Sequence, residues 1–303
     1  MKKLLVLLVA VFSASCSQDE VESTNPVAET SSSVLDGKLL SYKDDKSFVK
    51  EYSALSELKS TKEIQGWISK KGHSSLLNTL DASEGIQDSI IDNTRIIYSD
   101  ALKAIVNDES KFKINGKVLW LNGINLYELN IENKDKNSVE LIGLINDLKI
   151  YGSVFNANNK LKKNKESSTS RLTMPNINGS SVTYMNSAND KRYYMVVFNE
   201  TIIVNGVSSS KMYLRASMTY KSCSFWRCTY KEDTTTGRFL YFNVTFVQPW
   251  YSALNNGYVY QGSGTQTILL ATMGTGPFQS FDFNMDGNLR MQVSNGFDWT
   301  QTF

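Results

Sequence analysis

The chain has one histidine, three cysteines and four prolines in 303 residues. Nucleophilic catalysis of the serine–histidine or cysteine–histidine kind needs an imidazole as base, and only His73 is available for it. His73 sits in Lys70-Lys71-Gly72-His73-Ser74, a polar break between apolar stretches, and reads as a solvated loop residue. Histidine-rich zinc sites are excluded by count. No P-loop, dinucleotide fingerprint or nucleophile elbow occurs. Long apolar runs are also missing: Leu4–Phe12 falls far short of the ~20 residues that span a bilayer.

What is present begins at residue 1. Lys2 and Lys3 precede that apolar run, and Ser13-Ala14-Ser15 lead into Cys16. This is the order of an export signal. The cysteine after small residues is similar to a lipobox, in which Cys16 would be acylated and become the first mature residue. With Ser17-Gln18-Asp19-Glu20 behind it, the segment resembles the signal of Bacteroidetes-type surface-exposed lipoproteins. Ser13 departs from the Leu or Val of most lipoboxes. The resemblance covers about twenty residues and implies an address rather than an activity: outer membrane, anchored by acyl chains, facing the cell exterior. Each buried methylene of such a chain contributes ~0.8 kcal/mol. Processing would remove Lys2 and Lys3 and leave 30 basic against 30 acidic residues. A near-neutral chain without a basic stripe argues against nucleic acid as a partner. Two remaining cysteines are too few for a thiolate zinc site.

The rest of the chain changes period as it proceeds. Residues 1–16 are the signal region, and 17–35, rich in Ser, Thr, Glu and Val, read as a flexible tether. Residues 36–155 read as an α+β domain. Phe48, Tyr52 and Leu55, then Ile64, Trp67 and Ile68, recur at helical spacing, and Leu76, Leu77 and Leu80 resume it after Gly72. Ser99 or Asp100 is a suitable N-cap for a helix carrying Ala101, Leu102, Ile105 and Val106. Asn115-Gly116 and Asn122-Gly123 between apolar residues predict a strand meander, and Leu141–Phe155 a further strand. Residues 156–181, lysine-rich at first, read as a linker.

Residues 182–303 hold 23 of the 34 aromatic residues and only 16 charged ones, which suits a densely packed β module. Met212, Leu214, Ala216, Met218 and Tyr220 alternate with Tyr213, Arg215, Ser217 and Thr219, the pattern of a strand with one apolar face. Asn205-Gly206 turns Met195–Val204 back into it. Phe239–Val247, apolar on both faces, reads as a central strand, and Gln266–Met273 as another. Turn signals recur at Gly237, Asn255-Asn256-Gly257, Gly274–Pro277 and Asp286-Gly287. The fold class expected is therefore an α+β N-terminal unit followed by an all-β, β-sandwich-like C-terminal module.

Several residues invite a functional reading. Cys223 and Cys228, with four residues between them and in an oxidising compartment, predict a disulfide that pinches a hairpin end. It would enclose Phe225 and Trp226, which either project as a ligand anchor or fold back into the core. Trp250, Tyr251 and Trp299, among amides and glycines, suit stacking on sugar rings, although core packing uses the same residues. Asp282, Asn284 and Asp286, with Gly287 behind them, resemble the opening of a calcium loop, but position 12 is Val293 and a hairpin with its tip at Asp286-Gly287 explains them as well. No other cofactor is indicated. The module's acids, Asp190, Glu200, Glu232, Asp233, Asp282, Asp286 and Asp298, form no recognisable glycosidase pair.

The leading expectation is a binding or adhesion module whose partner is a glycan or an envelope protein. The alternatives are a polysaccharide-acting hydrolase using an Asp/Glu acid–base pair and a non-catalytic structural subunit of an envelope complex.

Overall fold

The chain opens with a tight hairpin, β1 (Ser33–Asp36) and β2 (Leu39–Tyr42). The computed structural model describes residues 32–79, 97–156, 180–185, 190–224, 227–248, 252–272, 284–294, 296 and 298–302, all within the unit Ser32–Phe303. Ser33–Leu35, at the end of the expected tether, thus already belong to the sheet.

Side-chain caps set the helices. Asp44 accepts a hydrogen bond from the Ser47 N–H at 2.7 Å and starts α1 (Asp45–Ser56), whose Phe48, Tyr52 and Leu55 are buried as the spacing predicts. Ser60 caps α2 (Thr61–Lys71), which stops at Gly72, where φ of 71° suits glycine. Ser99 caps α3 (Asp100–Ile105), every residue of which is buried. Leu80 lies outside the described residues.

β3 (Lys111–Ile114), β4 (Lys117–Asn122) and β5 (Asn125–Leu129) make the meander, with Asn115 and Gly116 both at positive φ in the first turn. The expected strand from Leu141 divides instead into α4 (Ser138–Ile142) and β6 (Lys149–Asn156). Asn137 and Glu140 form a reciprocal capping box, and that local bonding nucleates a helical turn around Leu141.

β7 (Ser180–Met185) precedes two long strands, β8 (Lys191–Val204) and β9 (Val207–Ser224), joined by the Asn205-Gly206 turn. β10 (Arg227–Glu232), β11 (Arg238–Gln248), β12 (Ser252–Gly262), β13 (Gln266–Thr272), β14 (Asn284–Val293) and β15 (Asp298–Thr302) complete the described elements. The larger sheet runs β1-β2-β3-β4-β5-β6-β8-β9-β10, antiparallel except for β2-β3. β6 and β7 share one edge of β8, and β13 and β10 share one edge of β9. The N-terminal meander is therefore continuous with the C-terminal module through the β6–β8 pairing. The second sheet is β12-β11-β14-β15, with β11 in its interior as its two-sided apolar pattern predicts.

Both faces of β8 and β9 are covered, which the alternation in β9 does not disclose. Met212, Leu214, Ala216 and Met218 face the second sheet and share a core with Leu240, Phe242, Met291 and Val293. The alternate face meets the helices: Tyr213 and Arg215 are as buried as their apolar neighbours, because Ser56 and Asp100 supply polar partners, and Ser217 is buried beside them. Arg238 of β11 ties the two sheets together, donating to the Gly264 and Ala216 carbonyls and to the Gln266 side chain. The result is an α+β N-terminal part followed by an all-β, sandwich-like part.

Two expected turns are strand instead. Asn255–Gly257 form an irregularity within β12, where the register to β11 shifts between Phe242 and Val244. Asp286 and Gly287 pair with Thr245 and Val244 of β11, so no hairpin tip lies there. Gly274–Pro277 lie outside the described residues.

Candidate functional site

β9 outlasts its neighbours. β8 begins at Lys191, opposite Tyr220, and β13 pairs β9 only along Lys211–Ala216. The Lys221 N–H still donates to the Asp190 carbonyl at 2.6 Å; beyond it β9 has β10 as its only described pairing partner, so Ser222–Ser224 and Arg227–Thr229 form the outer, two-stranded end of an arm based at Lys221 and Lys231. Cys223 and Cys228 are directly opposite in this register and joined by a disulfide, S–S 2.04 Å. The disulfide expected from the sequence is thus present, at the outer end of the arm. Clamping that end restrains fraying where a two-stranded ribbon is weakest. At the base, the Arg192 guanidinium lies 3.5 Å from the Tyr230 ring centroid, a stacked contact that braces the arm on β8.

The other expected ligand residues distribute differently. Phe225 and Trp226, the dipeptide between Ser224 and Arg227, lie outside the described residues, as do Trp250 and Tyr251. Trp299, on β15 opposite Met291, is half-buried and packs against the sandwich core, so its ring serves as a core contact. Asp282 also lies outside the described residues. Asn284 and Asp286 occupy extended backbone paired with Gln248 and Thr245, whereas a calcium loop needs the chain to curl around the ion. Among the described residues no three His, Cys, Asp or Glu side chains cluster as a metal site would require, and no helix is long and apolar enough to cross a membrane.

The acids are engaged by the fold. Asp233 accepts from the backbone and hydroxyl groups of Thr235 and Thr236, which hold its carboxyl below the usual range against the opposing effect of partial burial. Glu232 accepts from the Thr265 N–H, and Asp298 pairs with Arg290. His73 is not solvated as expected. It is buried, its Nε2 lies 2.8 Å from the Ala104 carbonyl, and its ring meets Trp67 edge-on. The helices close over Lys70–Ser74 because Gly72 turns the chain back onto α3, and burial pushes the imidazole pKa down.

Glu200, one of the seven acids of the C-terminal module, has surroundings that the sequence alone does not show. It is fully buried between β8 and the helices. Its Oε1 lies 2.7 Å from the Tyr52 hydroxyl and 2.6 Å from the Ser99 hydroxyl, and its Oε2 accepts from the Ser99 N–H at 2.8 Å. The chain of contacts continues from Tyr52 to Tyr213 at 2.9 Å, to Ser56 at 2.9 Å and back to the Tyr52 carbonyl at 2.7 Å. These oxygens make five hydroxyl-mediated contacts, yet Tyr52, Tyr213, Ser56 and Ser99 bring only four hydroxyl protons. A neutral Glu200 would bring the fifth. Burial raises its carboxyl pKa in the same direction, outweighing the opposing Ser99 and Tyr52 hydrogen bonds and the Lys103 charge. Alongside, Asp100 lies 3.2 Å from Lys103 and 3.5 Å from Arg215. Lys211 lies over the Tyr52 ring, its ammonium pKa pushed down by burial. Glu200 is fully buried, and its bonds to Tyr52 and Ser99 fasten the helices to the sheet. The signal available in the sequence was a lone acid within the apolar strand Tyr193–Val204.

No protein-family model, curated protein or solved structure matches the chain.

Proposed function

We propose that the protein is an outer-membrane lipoprotein, anchored through Cys16 and facing the cell exterior, that binds glycan through the β9–β10 arm. The observation that carries this reading is the arm itself. From its base at Lys221 and Lys231 the paired ends of β9 and β10 run past the start of β8, Cys223–Cys228 locks them, and the dipeptide that follows Ser224 in the sequence is Phe225-Trp226. A covalently clamped strand end loses little backbone entropy on binding, and aromatic side chains as a class suit contact with sugar rings. The acyl anchor rests on the Lys2–Cys16 segment.

The test is a glycan array probed with the mature chain and with F225A and W226A variants. Binding that weakens in the folded variants is expected. Silence across a broad array, with capture of an envelope protein instead, would replace glycan with a protein partner.

A further inference from the structure

The face and charge of the arm bear on its ligand. Tyr220, 40 % exposed, extends the row Met212, Leu214, Ala216, Met218 beyond the sandwich core. It stands opposite Lys231 on β10 and Lys191 on β8, and directly opposed residues share a face. The next row outward pairs Ser222 with Thr229. On the reverse face Lys221 stands opposite Tyr230, on which Arg192 stacks.

No acid occurs between Tyr220 and Lys231. The two that follow turn into the fold: Glu232 accepts from the Thr265 N–H at 2.5 Å, and buried Asp233 is committed to Thr235 and Thr236. Asp233 also lies 3.8 Å from Lys191, and Lys231 is exposed on the neighbouring strand. Asp190, exposed immediately before β8 with its carbonyl accepting from the Lys221 N–H, is the acid beside the arm, against the basic Lys191, Arg192, Lys221, Arg227 and Lys231.

We infer that the arm's ligand is an acidic polysaccharide, whose rings pack on Tyr220 while their carboxylate or sulfate groups meet Lys231 and Lys191. This rests on the arm being the binding element. The tyrosine offers a flat apolar surface for sugar C–H groups, and Ser222 and Thr229 offer hydroxyls that both donate and accept. Lysines act as flexible point charges, tolerant of where each acid falls along a repeating chain.

The experiment compares polygalacturonate with its fully methyl-esterified form, which keeps the sugar ring and removes the charge, on the full mature chain and on Y220A, K231Q and K191Q/K231Q variants. Circular dichroism serves as the fold control. Polygalacturonate is expected to bind preferentially, to weaken as salt is raised, and to lose up to about fivefold in affinity per lysine removed. Equal, salt-insensitive binding of both polymers would overturn the acidic class while leaving the glycan reading intact. Binding of neither polymer nor of sulfated dextran, with neutral glycans still bound on an array, would do the same. Binding of no glycan at all would overturn both. Preference for phosphatidylglycerol vesicles or a single-stranded oligonucleotide over polygalacturonate would overturn the inference in favour of another anion.

Discussion

Tyr52 of α1 and Glu200 of β8 lie 2.7 Å apart in a fully buried contact that joins residues 148 positions distant in sequence. The contact fastens the helical layer to the sheet and makes the protonation state of Glu200 testable. Because burial raises the Glu200 pKa above its ordinary 4.5, the stability it contributes is complete below that value and is lost as pH rises through the raised folded value. Glu200→Gln retains a neutral group with donor and acceptor, so it is expected to cost less than ~1 kcal/mol at pH 7 and to remove this component of the pH dependence. Glu200→Leu strands the Tyr52 and Ser99 hydroxyls and is expected to cost ~2–4 kcal/mol. Denaturant melts from pH 4 to pH 9, on the order of the titration range discussed, read both effects. A Gln variant as damaged as the Leu variant would refute a protonated Glu200.

His73 imposes the opposite slope. Its folded pKa lies below 6.5, so stability is full above that value and falls as acidification protonates the buried ring. His73→Gln, able to donate to the Ala104 carbonyl without titrating, is expected to flatten the loss of melting temperature between about pH 6.5 and pH 4.

The disulfide closes only a short end loop of the arm. Cys223→Ser/Cys228→Ser is therefore expected to lower global stability by no more than ~2 kcal/mol while increasing amide exchange at Lys221–Lys231. Hydrogen exchange by mass spectrometry measures both.

Gly152 marks the seam between the meander and the long strands. A Cβ there would meet the Ile203 carbonyl at 2.5 Å and the Val204 side chain at 2.8 Å. Gly152→Ala is expected to cost ~1–3 kcal/mol, read as a lowered melting temperature.

Anchoring has its own readout. Cys16→Ala is expected to abolish incorporation of an alkynyl palmitate and to leave the protein out of the membrane fraction. Labelling that persists in that variant would contradict acylation at Cys16.

Local rules made much of the fold legible. Ser99 caps a helix, Asn115-Gly116 and Asn205-Gly206 turn hairpins, and β11 is interior because both its faces are apolar. What stayed hidden depended on partners distant in sequence. Arg215 looks solvent-facing until Asp100 meets it, and Asp286-Gly287 looks like a turn until β11 pairs with it. Glu200 was present in the sequence as one acid among seven, without the tyrosines that give it a role. The disulfide was readable because its two cysteines are close neighbours, whereas the reach of the arm beyond the sheet depends on where β8 and β13 begin and end.

The central claim is that the outer end of the arm is a binding element outside the packed core. The most direct measurement is a parallel thermal melt and glycan-binding titration of the F225A/W226A double variant. The result expected is a melting temperature within about 2 °C of the parent and loss of binding. A fall of about 6 °C or more with binding retained would place those rings in the core and contradict the account.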